Sequence, residues 1–155
     1  MLVSKRDTRD EVEMKAILMG LAKIMVLYSI GGALYTIIEL LFRGHTHWTM
    51  FFVGGLCFVL VGAINQVYPH EMALISQMLI AAIIITAVEF ASGMIINVWL
   101  GLGVWDYRHM PYNLYGQVCL VFFLAWFFLS PFAILLDDFL RYKMFGEPRP
   151  HYKIF

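Results

Sequence analysis

Apolar residues run through this 155-residue chain in four long blocks, rather than in the strict alternation of a half-buried strand. A hydrocarbon core about 30 Å thick takes roughly 20 helical residues at about 1.5 Å each, the length scale of these blocks. The first covers 16–42 and is interrupted by Lys23, whose long stem lets its charge reach an interface. The second, 50–64, is short and carries Gly54, Gly55 and Gly62, small residues that let another backbone come close, so it is expected inside the bundle. The third starts after Pro69, passes through MALISQMLIAAIIITAVEF and trails into SGMIINVWLGLGVW. That is longer than one span requires, and part of the tail is expected to lie along the interface or re-enter. The fourth, 118–136, is rich in aromatic residues, with Pro131 as a kink position. The pattern predicts an all-α, polytopic membrane bundle of four transmembrane helices.

The cationic residues turn the pattern into a topology, because short cytoplasmic flanks carry the excess of Lys and Arg. Lys5, Arg6, Arg9, Lys15 and Lys23 precede the first body, and Arg141, Lys143, Arg149 and Lys153 follow the last. The connections after the first and third spans carry only Arg43 and Arg108, so both termini are expected in the cytoplasm and these connections outside. The segment 65–71 is then the inner connection. The chain divides into a cytoplasmic segment 1–15, a membrane domain 16–136 and a cytoplasmic tail 137–155, in the cell membrane. A Thr-x-x-Glu recurs in YTIIEL at 35–40 and ITAVEF at 85–90, which suggests a parallel repeat of two-helix units.

Composition agrees: 61% of residues are hydrophobic and 14% charged, against near half and a quarter in soluble domains. The formal charge is zero, with no basic field for nucleic acid. The first 15 residues are mixed in charge and lack a cleavage signal, so they are expected to stay attached. Cys57 and Cys119 lie in or at the start of apolar runs, where cysteine acts as a small hydrophobe rather than a disulfide partner. No GxxxxGK[ST] loop occurs, so any ATP-driven activity calls for a separate ATP-binding subunit.

Ionised groups in hydrocarbon cost at least about 2.5 kcal/mol, which makes Glu39 and Glu89 functional candidates. Arg43, four residues after Glu39, is placed for an ion pair, and holding the helix end is the alternative role of that pair. Thr86, Glu89, Gly93 and Asn97 recur at helical spacing as one polar stripe, suited to a cavity or to interhelical hydrogen bonds. The connection WDYRHMPYNLYGQ brings Trp105, Asp106, Tyr107, Asn113 and Gln117 to the same external side, with Asn113 and Gln117 expected on one face at the start of the fourth span. His45 and His47 are the candidates for a metal, but their spacing sets no third ligand, so none is assigned. Asp137, Asp138 and Arg141 read as a salt-bridge cluster at a helix end.

TAVEFASG followed by VWDYRHMPYNLYGQVCL resembles the motif of the ABC-transporter type IV family of membrane proteins. The match falls on Glu89, Gly93, Trp105, Asp106, Tyr107, Pro111, Asn113, Gly116, Cys119 and Leu120. Tyr35 and Glu39 fit the family's early aromatic-to-glutamate feature, whereas its Asn-Arg-Gly-Phe-Leu and Gly-Pro segment is replaced here by HTHWTMFFVGGL, as in a divergent branch. The resemblance implies a permease, partnered by an ATP-binding subunit or by further copies of the same chain. The leading expectation is a transport-related protein in which Glu39, Arg43, Glu89, Asn97, Asp106, Asn113 and Gln117 line an outward pocket for a small solute or ion, with no cofactor. The alternatives are a structural or partner-binding subunit, and a lipid-directed enzyme using Glu39, His47 or Asp106, for which no nucleophile with an adjacent base is visible.

Overall fold

The computed structural model describes residues 2–67, 72–148 and 151–153, with side chains from Asp10 onward. The expected inner connection at 68–71, Arg149, and the side chains of Lys5, Arg6 and Arg9 lie outside the described residues. Helix α1 (Leu2–Arg43) is followed by α2 (Trp48–Gly62), the short α3 (Ile64–Val67), α4 (Leu74–Gly93), a π-helical segment (Met94–Trp99), strands β1 (Asn113–Leu114) and β2 (Val118–Cys119), and α5 (Leu120–Phe145). Among the described residues, four helical stretches are long and apolar enough to cross a membrane. The expected all-α bundle of four spans is the fold.

Helix α1 runs through 15–16 unbroken, and at about 1.5 Å per residue it is roughly 60 Å long, twice the hydrocarbon thickness. Its N-terminal half therefore projects beyond the bundle. Helix α2 is the common partner, packing against α1, α4 and α5. Over its most apolar stretch 56% of the residues are buried, against 17% on α1 and on α5, so the outer helices leave their apolar faces for lipid. The glycines make that central position available. A Cβ on Gly55 would lie 2.6 Å from the Tyr28 carbonyl oxygen, and one on Gly54 or Gly62 would collide with Tyr35 or with the Asp137 carboxylate.

Two elements differ from expectation. After Gly93 the third span widens into a π-helix, with the Leu100 N–H donating to the Ile95 carbonyl (2.9 Å). The tail thus continues the span to Trp99 before the chain turns into irregular structure, and Asn97 leaves the α-helical stripe that Thr86, Glu89 and Gly93 follow. The fourth helix starts at Leu120 rather than 118 and continues past 136 to Phe145. Asn113 and Gln117 are not on its first turns. They belong to a hairpin in which Asn113 pairs with Cys119 and Leu114 with Val118.

The hairpin turn explains the difference. Tyr115 and Gly116 both have positive φ (52° and 69°), and the Gln117 N–H donates to the Leu114 carbonyl at 3.0 Å, the pattern of a type I′ turn. Asn113 is the clasp of this turn: its side-chain oxygen accepts from the Gly116 N–H (3.1 Å) and its amide donates to the Met110 carbonyl (2.8 Å).

At the opposite end the acids after the fourth apolar run are buried. Asp137 pairs with Arg141 (2.5 Å), and Asp138 accepts from Asn65 (2.6 Å) and from the Tyr152 hydroxyl (2.6 Å). Lys23 pairs with Glu147, and the Leu74 N–H donates to the Lys153 carbonyl (2.7 Å). The expected helix-end cluster is there, but it joins α1, α3, α5 and the tail rather than one helix alone. Burial and the Asp138 bond push the Tyr152 phenol above its ordinary range, which keeps it a neutral donor.

Candidate functional site

At the end formed by the 44–47 and 100–119 connections, α1 and α5 meet at only a few positions and leave a cavity of about 400 Å³. Its polar lining includes Glu39 and Arg43 from α1, and Asp106 and His109 from the long connection. Tyr35, Trp105, Tyr107, Phe122 and Trp126 supply aromatic walls, with Tyr107 stacked on Phe122 at 4.5 Å.

Glu39 is buried, and both of its oxygens are engaged. One accepts from Arg43 (2.7 Å), the other from the Thr46 hydroxyl (2.5 Å). The second Arg43 nitrogen donates to the Val104 carbonyl at 2.8 Å, so the guanidinium ties α1 to the long connection. Asp106 is more open and pairs with Arg108, whose side chain and backbone N–H hold its pKa down to about 2. Tyr107 is pushed above the usual phenol range, first by burial and then by the negative charge of Glu89.

Glu89 lies behind the cavity wall. The Trp126 indole donates to one oxygen at 2.7 Å and the Tyr35 hydroxyl to the other at 3.5 Å, and both donors line the cavity. The remaining three expected residues do not line it. Asn97 donates to the Gln117 side chain (2.9 Å) and accepts from the Val104 N–H (2.7 Å), while Gln117 accepts the Trp105 indole on its carbonyl (2.9 Å). With Asn113 in the hairpin, these amides suspend the connection that carries Trp105, Asp106 and Tyr107. Gly93 makes room for it, since a Cβ there would lie 2.5 Å from the Gln117 side-chain oxygen.

His45 and His47 are occupied locally. His45 Nδ1 meets the Arg43 carbonyl at 3.0 Å, and His47 caps α2 through Thr49. Among the described residues, no group of three or more His, Cys, Asp and Glu side chains gathers at metal-binding distance. Trp126, Phe122, His109 and Thr46 were not legible as site residues. Trp126 sits in an aromatic-rich run with nothing in its spacing to mark it, and Thr46 reaches Glu39 only because the chain reverses at Gly44, where φ is 73°.

A second cavity of about 280 Å³ adjoins the first. The two share Tyr35, Ile38, Trp126 and Leu129, and the second is otherwise lined almost wholly by apolar groups of α1, α2 and α5.

Four apolar spans closed by a polar, aromatic-walled end define a polytopic helical membrane protein. The family model described as "Putative ABC-transporter type IV" matches residues 12–150, and the chain belongs to that family. No solved structure matches this chain.

Proposed function

We propose that this chain is a transport-related subunit of the cell membrane whose cavity at the 44–47 and 100–119 end takes up a small solute or ion from outside. The carrying observation is the cavity itself, where Glu39, Arg43 and Asp106 converge from two elements far apart in sequence. Glu39 and Asp106 are the ligand-facing carboxylates, Arg43 balances Glu39, and Glu89 positions Trp126 and Tyr35 in the wall. Asn97, Asn113 and Gln117 serve the site by holding the connection above it. Both termini lie in the cytoplasm, with 1–15 and 137–155 as the flanks of the membrane domain 16–136. Family membership and the lack of a phosphate loop support an ATP-binding partner subunit or assembly with further copies.

Uptake by proteoliposomes, with and without candidate ions and small polar solutes, tests this. Glu39→Gln should lower the flux of the true solute by about tenfold or more, equivalent to about 1.4 kcal/mol of lost interaction. Equal flux in wild type and variant for every solute overturns the reading. The saturation of both Glu39 oxygens within the chain favours a second reading, a structural or partner-binding subunit. That reading calls for co-purification with another membrane protein, disturbed by Glu89→Gln, without a transport defect of its own.

A further inference from the structure

We propose that Glu89 is a proton-binding site inside the bundle, loaded from the cavity at the 44–47 and 100–119 end through the Tyr35 hydroxyl. The inference stands on the geometry around Glu89 and does not require the cavity to transport anything.

The Glu89 carboxyl lies within the third span and is 3% exposed, so little water reaches it to solvate a charge. Other acids of the chain have a fixed cation: Glu39 pairs with Arg43 (2.7 Å), Asp106 with Arg108 (2.7 Å) and Asp137 with Arg141 (2.5 Å). Among the described residues, no Lys, Arg or His pairs with Glu89. The titratable groups that face it bring no positive charge either. They are Tyr35 and Glu39 from α1, Cys57 from α2 and Tyr107 from the long connection, while α5 contributes the neutral Trp126 indole.

A buried acid sheds its charge to a fixed cation, a metal ion or a proton. The first is missing. A metal ion is disfavoured because the indole N–H, a donor only, occupies Oε2, and because no further His, Cys, Asp or Glu gathers at metal-binding distance among the described residues. The proton is left.

The two carboxyl oxygens differ in a way that selects where it binds. Oε2 is held at 2.7 Å by Trp126, whereas Oε1 has only the Tyr35 hydroxyl at 3.5 Å, a long contact that leaves a lone pair open. Tyr35 also lines the cavity. A proton arriving there adds to the phenol oxygen while the phenol's own proton passes to Oε1. Tyr35 ends as it began and Glu89 becomes uncharged, and release runs through the same atoms in reverse.

Infrared difference spectra between acid and alkaline pH test this, because a carboxylic acid has a carbonyl stretch that a carboxylate lacks. Full-length protein is used in maltoside micelles, which carry no carbonyl of their own. The wild type should show a carbonyl band that comes and goes reversibly while the helices stay folded, and Glu89→Gln should delete it. Glu89→Asp should shift the band instead, which keeps the assignment testable if the Gln variant does not fold. Tyr35→Phe should retain the band but slow its response to a pH jump by about a hundredfold, the lower end of what a positioned proton-transfer group contributes. Trp126→Phe, which frees the other oxygen, should leave that rate nearly unchanged. Absence of the band at every pH means a permanent carboxylate, and its presence at every pH means a fixed neutral hydrogen-bond donor; either overturns the proposal. So does a band unaltered in both Glu89 variants, or an unslowed response in Tyr35→Phe. Flux that Glu39→Gln lowers, without a titrating Glu89 band, sinks this inference and spares the transport reading; a titrating band without flux of any solute does the reverse.

Discussion

Glu89 shows how one residue's environment separates two roles. Its carboxylate is fully inside the bundle, and the donors that stabilise it come from two other helices. Removing the Trp126 donor by Trp126→Phe should lower stability in micelles by about 1–2 kcal/mol, since a short bond to a buried carboxyl lies at the upper end of interhelical bonds. Tyr35→Phe, which removes a bond at the 3.5 Å limit, should cost less than about 0.6 kcal/mol. Reversible unfolding in a denaturing detergent measures both, and an equal cost for the two would contradict this ranking. Asp106 makes a pH prediction at the same scale. Its pKa lies at about 2, below the ordinary value near 3.9, so its pairing with Arg108 is fully present above about pH 4 and is lost as pH falls through about 2. Amide exchange at Arg108, whose N–H donates to Asp106, should stay slow down to that range and should become fast at neutral pH in Asp106→Asn.

At the scale of elements, the glycines of α2 decide which helix sits in the middle. Gly55→Ala presses a methyl against the Tyr28 backbone oxygen, which cannot turn aside as a side-chain tip can. It should cost about 1–3 kcal/mol, the range of overpacking. Gly20→Ala, with open space around the new methyl, should be neutral or stabilising by up to about 1 kcal/mol, because alanine is the better helix former. Thermal melts of both variants compare them directly. The π-helical segment shows an element the apolar pattern does not contain. The run from 74 to 99 reads as one continuous span, and the widening at Met94 becomes visible only where Asn97 must meet both Gln117 and the Val104 N–H.

The whole molecule has two polar ends of different character. One is the cavity end, and at the other the Asp137, Asp138 and Arg141 cluster is closed by Tyr152 and by Glu147. If the distribution of Lys and Arg sets the topology, then cysteines introduced as Ser4→Cys and Lys153→Cys should react with an impermeant maleimide only from the cytoplasmic face. His45→Cys should react only from outside. Native Cys57 and Cys119 are buried and should stay silent in intact protein. Labelling of Ser4→Cys and His45→Cys from the same face would overturn the four-span topology.

Run length and composition alone determined that the chain crosses a membrane with four helices, because burying so many apolar groups in water has no stable solution at this size. The central place of the second span was legible too, since Gly54, Gly55 and Gly62 let neighbouring backbones approach closely. Glu39 and Arg43 were legible as a pair because four residues is a helix turn. Tertiary structure decided the rest. Asn97, Asn113 and Gln117 carry the same amide chemistry whether they face a ligand or suspend a loop, and only the fold of the 100–119 connection assigns them to the loop. Trp126 and Thr46 joined the two glutamates through contacts 37 and 7 residues apart in the chain, and no local period encodes such pairings. The charges of the cavity end were therefore visible in the sequence, but the cavity that Glu39 and Asp106 share arises from how α1, α5 and the 100–119 connection come together.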